Sequence, residues 1–477
     1  MIVTKWLLAT TLTCVALAKP RCKNHPLDAN WPSIDDWSTL NRSTNGALIK
    51  TNPIASSCFN NDSTVSCNHV QENWFYSDFH SSLPESIGYP YWANRSCVPP
   101  NDYAYDEALG CQVGALPAYI INATTTEQVA VAAKWASQRN IRIVVKGTGH
   151  DLNGRSSGAF SLSIWTYHLR NIEFDTHWTH PSSDKTENAV ILGSGNTWGE
   201  VLKAAAKTGR TVISGQDGTV GLGGFIGGGG HGPLSSQHSL SADHVLQATV
   251  VTTEGEILVA NDAQNRDLLW AIRGGGPGLY GIVVEYVLKT VPLPENVVMG
   301  TLSMSTIQNQ TGAATQDSWA AFAAFVSSIP DLMDTGVTGY GFGVTQENMG
   351  IELTMTLWAY NTTSAAFKPL LESVRRDMLS QVESKSISVN ISEPTVLPTY
   401  LSIFDNALGA AAEWVEENKE AVWREWAPDT GAYINEANPF ARNFQQDFYG
   451  DNYDCLLHVK EKYDPTAMGF YAACDET

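Results

Sequence analysis

The run Ile141-Arg-Ile-Val-Val-Lys-Gly-Thr-Gly-His150-Asp-Leu-Asn-Gly-Arg-Ser-Ser157 constrains this chain more than any other stretch. A β-branched apolar segment, residues 141–145, reads as a strand that empties into a loop punctuated by Gly147 and Gly149. Glycine admits positive φ and lets a ligand approach the backbone closely. Successive N–H groups in such a loop can form a concave nest for a pyrophosphate. Lys146 and Thr148 lie inside this run, and His150 and Asp151 close it. A phosphate loop needs no histidine, so His150 requires chemistry of its own. The plain alternative is a strand, a turn and a surface histidine.

An α/β alternation surrounds this loop. Residues 118–122 predict a strand, Thr124 with Glu127 a capping box, and residues 127–139 a helix. The pattern repeats as a strand at 189–192, a helix at 198–208 and a strand at 211–214. Residues 215–232 are glycine-rich but interrupted by Val220, Leu222, Phe225 and Ile226, so they pack against something and are no flexible linker. Backbone lying against a flat ligand is the reading favoured. A hairpin follows at 245–252 and 256–259, then a helix at 266–272, a second glycine run and a strand at 282–291. Gly227/Gly229/Gly232 and Gly276/Gly278/Gly281 have G-x-G-x-x-G spacing. Neither follows a strand and opens a helix, so a nicotinamide dinucleotide site is not expected.

Residues 294–440 predict a second lobe, with antiparallel strands at 337–344 and 350–360 and helices at 317–327, 369–379 and 410–426. Trp414, Trp423 and Trp426 read as core rather than as a substrate platform. A helix at 456–463 ends the pattern.

Charge and cysteine bound the setting. A formal net charge of −20 repels phosphate backbones and anionic bilayers, so neither nucleic acid nor a membrane is an expected partner. Residues 1–18 read as a secretory signal: Lys5, an apolar run, then Ala16-Leu17-Ala18. Sequons at Asn41, Asn61, Asn94, Asn122, Asn309, Asn361 and Asn390 agree with passage through the secretory pathway. Cys22, Cys58, Cys67, Cys97 and Cys111 crowd residues 19–111, and Cys455 and Cys474 sit near the other end. This usage predicts disulfides and, the count being odd, one thiol left over. No cysteine–histidine spacing suggests a metal.

Taken together, Lys146-Gly-Thr-Gly-His150-Asp151, the block from Gly218-Thr-Val-Gly221 to Pro233-Leu-Ser-Ser236, Leu240-Ser-Ala-Asp243, Leu269-Trp-Ala271 with Gly274 to Gly281, and Tyr449-Gly-Asp-Asn-Tyr453 with Lys460-Glu-Lys-Tyr-Asp-Pro465 resemble the fungal secreted branch of the berberine-bridge-enzyme-like FAD-linked oxidases, in the vanillyl-alcohol oxidase superfamily. The resemblance implies an α+β fold: a two-subdomain FAD-binding domain of the p-cresol methylhydroxylase type (112–293) and an α/β substrate domain with an antiparallel sheet (294–440). A stapled segment (19–111) would precede them, and a C-terminal segment (441–477) would return to the FAD domain.

By the same resemblance His150 bonds the 8α-methyl of FAD, and residues 147–151 hold its pyrophosphate. Lys146, Asp217, Gly218, Thr219, Gly221, Gly223, Gly224, Gly228, Gly281, Ile282 and Tyr453 complete the implied cofactor set. Many relatives carry a second tether, a cysteine, where this chain has Asp217; a single covalent link through His150 is therefore expected. In relatives with Tyr-x-Asn-Tyr the second tyrosine is the usual base candidate. Here Tyr433-Ile-Asn435-Glu436 puts Glu436 at that place, with Tyr433 next in line and Asn435, Tyr453 and His231 behind it. The implied reaction takes a hydride from an alcohol or related C–H group of a small molecule, with dioxygen as acceptor, on a monomer. The alternatives are a carbohydrate oxidase and a flavin-retaining cyclase or binding protein without redox turnover.

Overall fold

The computed structural model describes residues 22–59, 65–307, 312–346, 350–382, 386–406, 433–435 and 444–465. Its first sheet contains β1 (Leu48–Lys50), β2 (Tyr119–Asn122), β3 (Ile143–Lys146) and β4 (Leu162–Trp165), in the order β1-β2-β4-β3. β2 and β3 run parallel to β4, so a crossover must join them. The helix Thr126–Gln138 makes it, burying Val129, Ala132, Ala133 and Ala136. Its cap falls at Thr125 and Gln128, one residue after the predicted pair, because the Gln128 amide oxygen accepts from the backbone of both Thr124 (2.8 Å) and Thr125 (3.3 Å).

The second sheet joins β5 (Ile172–Thr179) and β6 (Thr186–Gly193) to three later strands. The chain first passes β7 (Arg210–Thr211), then forms β8 (Val245–Val251), β9 (Ile257–Asn261), β10 (Ile282–Lys289) and β11 (Val291–Pro292). The order is β5-β6-β10-β8-β9, antiparallel throughout, and β7 pairs with β11 alone. The predicted strand at 211–214 is thus curtailed: Val212 and Ile213 are buried in the core without continuing the ladder. The glycine-rich block holds a short helix, Leu222–Gly227, rather than only extended backbone. Leu222 and Ile226, one turn apart, pin it to the core.

In the third sheet, β12 (Val297–Thr306), β13 (Thr338–Gln346), β14 (Gly350–Tyr360) and β15 (Ile387–Ile391) take the order β13-β14-β12-β15, with β16 (Thr395–Leu397) also on β12. The helices Gly312–Asp334 and Ser364–Ser380 cover it through Phe325, Phe367, Leu371 and Met378. The predicted helix at 410–426, its three tryptophans and Glu436 lie outside the described residues.

The N-terminal segment carries disulfides Cys58–Cys67 and Cys97–Cys111, and Cys22 is also bonded; Cys455 is free and exposed. This cover is tied to β3 from inside. Lys146 Nζ donates to the carbonyls of His80 (3.1 Å) and Leu83 (2.5 Å). The His80 ring bridges Ser86 Oγ and the Trp74 carbonyl, each at 2.6 Å, and burial pushes its pKa down to about 4. Unfolded, the ring would bind a proton near pH 6.5. The unfolded chain therefore binds more protons between those values, and His80's contribution is complete above about pH 6.5 and lost as pH falls toward 4, about 3 kcal/mol in all. Denaturation at pH 7 and pH 4.5 is expected to show this loss in the native chain and much less of it in His80→Gln. Equal losses in both would refute the assignment.

Candidate functional site

A cavity of about 940 Å³ runs along the loop after β3, the glycine-rich block and the start of β10, and reaches Tyr340 on β13 and Trp358 on β14. That volume is at the upper end for small-molecule sites, enough for an extended ligand and a second, smaller one. Gly147, Thr148, Gly149, His150 and Asp151 all line it. Gly149 has φ +85°, and a Cβ there would stand 2.9 Å from Lys146 Cε, so the turn requires glycine. Thr148 Oγ1 accepts from the Gly221 amide at 3.2 Å, clamping the loop to the glycine block.

Three of the implied cofactor residues, Lys146, Gly228 and Tyr453, lie off the described cavity wall. The Lys146 ammonium turns away from the cavity into the cover, as described above, where burial pulls it down to about 7. Gly228 is off the cavity wall; a Cβ on it would stand 2.2 Å from the Asn435 amide, so its bareness admits that side chain. Tyr453 packs against Tyr449 (5.8 Å between centroids) and Phe444 (6.0 Å) rather than lining the cavity. Asp217, Gly218, Thr219, Gly221, Gly223, Gly224, Gly281 and Ile282 do line it. Gly281, at φ +122°, lies so close to β8 that a Cβ would meet Val250 Cγ1 at 2.7 Å.

His150 Nε2 lies 2.7 Å from Thr219 Oγ1, and Thr219 in turn bonds Asp217 Oδ1 through its hydroxyl (2.7 Å) and its amide (2.8 Å). Burial lowers the His150 pKa, the Asp217 carboxylate opposes that shift, and the Lys146 charge adds to it. The ring is therefore held neutral, the form in which an imidazole nitrogen is nucleophilic.

A second chain of contacts starts at Asp151. Its carboxylate pairs with Arg155, which removes an uncompensated negative charge from the loop. Arg155 Nη2 donates to Asn435 Oδ1 at 2.9 Å, and Asn435 Nδ2 donates to the Gly224 carbonyl at 3.0 Å. Because guanidinium can only donate and a carbonyl only accept, these two bonds fix which way the amide faces. Nδ2 is then also the donor in its 2.9 Å contact with Tyr433 Oη, so the phenol oxygen accepts. The His231 ring meets Tyr433 edge-on, 4.9 Å between centroids, and both line the cavity. Arg155 and Asn153, whose Nδ2 donates to the Ile434 carbonyl at 2.9 Å, were not among the sequence candidates. No periodic signal marked either one, since both lie in a turn and meet partners about 280 positions away.

The wall fits FAD. Gly223 and Gly224 line the cavity, and a Cβ on either would meet no protein atom within 4 Å, so the space in front of them is open to a ligand. The loop after β3 offers an anion nest, and a neutral imidazole stands at its end. Gly224→Leu is expected to fold with equal or slightly greater stability, since glycine disfavours a helix by about 1 kcal/mol. Its flavin content should collapse, read from the ratio of visible to 280 nm absorbance. Full flavin occupancy in this variant would contradict the assignment. Among the described residues no helix is long and apolar enough to cross a membrane, and no group of side chains is arranged to hold a metal.

Comparison with known proteins points to the same cofactor. Residues 117–261 match the family model described as FAD binding domain, and residues 432–468 the one described as berberine and berberine like. The chain is 32% identical to the FAD-linked oxidoreductase ZEB1 of Gibberella zeae, over 97% of this chain and 94% of the relative. It is 29% identical to the VAO-type flavoprotein oxidase VAO615 of Thermothelomyces thermophilus, over 95% and 92%. Among solved structures, VAO-type flavoprotein MtVAO615 from Myceliophthora thermophila C1 superposes with TM-score 0.78 at 28% identity, covering 94% of this chain and 96% of that one. Berberine bridge enzyme from Eschscholzia californica, at 16% identity and TM-score 0.61 over 92% and 98%, shares the fold.

Proposed function

The chain belongs to the berberine-bridge-enzyme-like FAD-linked oxidoreductases of the vanillyl-alcohol oxidase superfamily, and on that premise we propose that it oxidises an alcohol or related C–H group of a small secondary metabolite, with dioxygen as acceptor and hydrogen peroxide as second product. The observation that carries the reading is Tyr433 Oη, held by the Asn435 amide on the same cavity that His150 lines. Bound there, FAD supplies the two-electron acceptor. The loop 147–151, Asp217, Gly218, Thr219, Gly221, Gly223, Gly224, Gly281 and Ile282 would hold it, with His150 as its one covalent anchor.

Ionised to the phenolate, Tyr433 Oη would be the group that takes the substrate's hydroxyl proton. The Asn435 Nδ2 donor would remain in place for the phenolate, and Arg155 polarises that amide from behind. The aromatic walls of Tyr340, Trp358 and Phe404 exclude water and orient a largely apolar substrate. Glu436, next after Asn435 in the sequence, is the alternative proton acceptor. Secretion is part of the proposal, supported by the disulfides and by the character of residues 1–18.

A second reading has its own support. One relative, 29% identical over 98% of this chain, is a bifunctional decalin synthase of Penicillium decumbens, so the same cavity could steer a cyclisation. Peroxide release on addition of alcohol-bearing aromatic and polyketide substrates, against a parallel panel of sugars, separates the readings. Peroxide with the first panel supports the proposal, and peroxide with sugars alone replaces it by a carbohydrate oxidase. Conversion of a polyene to a ring without peroxide replaces it by the cyclase.

A further inference from the structure

We propose that Asp217, acting through Thr219, is a positioning residue that holds His150 as its Nε2–H tautomer and so makes Nδ1 the atom that bonds the flavin. The proposal rests on the reading of His150 as the covalent anchor. A carboxylate can only accept hydrogen bonds, so the Thr219 hydroxyl, 2.7 Å from Asp217 Oδ1, donates its single proton there. The Thr219 amide, at 2.8 Å from the same oxygen, locks the hydroxyl's position. Thr219 Oγ1 then has only lone pairs to offer His150 Nε2 at 2.7 Å, so that nitrogen carries the hydrogen. In a neutral ring the other nitrogen, Nδ1, is left with the free lone pair. Burial, which lowers the ring's pKa, keeps it in that neutral form.

The relay also supplies a destination for the proton. When Nδ1 forms its C–N bond, the 8α-methyl gives up one proton and the flavin is left reduced by two electrons. The ring, now carrying positive charge, sheds its Nε2 proton through Thr219 Oγ1 to Asp217. Dioxygen takes the two electrons and the two protons as hydrogen peroxide. Asp217 therefore stands where a second tether would be and serves the first one instead.

Full-length native chain, Asp217→Asn, Thr219→Val, Thr219→Ser and His150→Ala are purified, incubated aerobically with added FAD, and sampled for acid-stable flavin by intact mass and in-gel fluorescence. The native chain and Thr219→Ser should tether fully. Asp217→Asn and Thr219→Val should tether about a hundredfold more slowly, the low end of what a lost proton acceptor costs, while still binding flavin reversibly. In Asp217→Asn the bond that does form should also lose its confinement to Nδ1, because an amide can donate as well as accept and so no longer fixes the Thr219 hydroxyl, which a merely structural defect would not alter. The flavin peptide from the native chain should carry its bond at Nδ1. A native chain that releases all its FAD in acid overturns the tether itself. A tethered native chain with unchanged rates in Asp217→Asn and Thr219→Val, or with the bond at Nε2, overturns the relay alone.

Discussion

A Tyr433→Phe enzyme is expected to lose about 10²- to 10⁴-fold in kcat, the range a positioned proton acceptor contributes, with its flavin content and KM little changed. The substitution removes one oxygen and keeps the ring that meets His231 edge-on, so the cavity wall survives. What disappears is the Oη that Asn435 holds. Asn435→Ala should lose less, because the phenol remains, but it frees Arg155 from its 2.9 Å contact and opens the space that Gly228 leaves for the amide. Glu436→Gln is the necessary companion. Wild-type turnover in Tyr433→Phe, with collapse in Glu436→Gln, would move the base three residues along the sequence.

Lys460→Met is expected to destabilise the chain by about 3 kcal/mol, the lower part of the 3–5 range for breaking a buried pair. Lys460 projects from the helix Tyr453–Tyr463 and donates to Asp464 Oδ2 at 2.7 Å and to the Leu279 carbonyl at 3.0 Å. The Asp464 side chain is only 2% exposed, so losing the ammonium removes a short charged contact from a carboxylate shielded from water. The charge of Lys23 also acts on Asp464, which keeps the cost from the top of the range. Lys460→Met/Asp464→Leu should recover most of the loss, since a buried pair replaced whole by apolar groups is often neutral. Urea midpoints of the three chains decide it. A double variant no more stable than the single one would show that the Leu279 contact, rather than the ion pair, holds the helix down.

Much of the architecture was legible because the backbone signals were local. The hairpin of β8 and β9 and the helix Arg266–Ile272 announce themselves by turn residues and periodicity. The third sheet follows from alternation along β13 and β14. The helix Leu222–Gly227 was hidden because three of its six residues are glycine, the poorest helix former after proline; burial of Leu222 and Ile226 overrides propensity there. The candidate site divides in the same way. Which glycine runs would face a ligand could be read from motif and spacing. Which side chains meet could not, because their partners are remote. Lys146 satisfies its ammonium on carbonyls of the cover, and Tyr453 packs at a tilt against Tyr449. Thr219 reaches His150 across 69 positions. Asp217 was noticed only as a missing cysteine; its contact with Thr219 gives that carboxylate a place in the site.

The contacts of the loop after β3 also set a timetable. Asn153 and Arg155 bond residues 281 and 280 positions further on, and Lys146 bonds carbonyls 66 and 63 positions earlier. Chains emerge from the ribosome at about 5–20 residues per second, so at those rates about 14–60 s separate the synthesis of the loop from that of Tyr433. During that interval the nest, the imidazole and its relay can form, but the wall opposite them does not exist. Cofactor capture can therefore begin on a nascent chain, whereas a shielded reaction chamber forms only once nearly all of the polypeptide has been made.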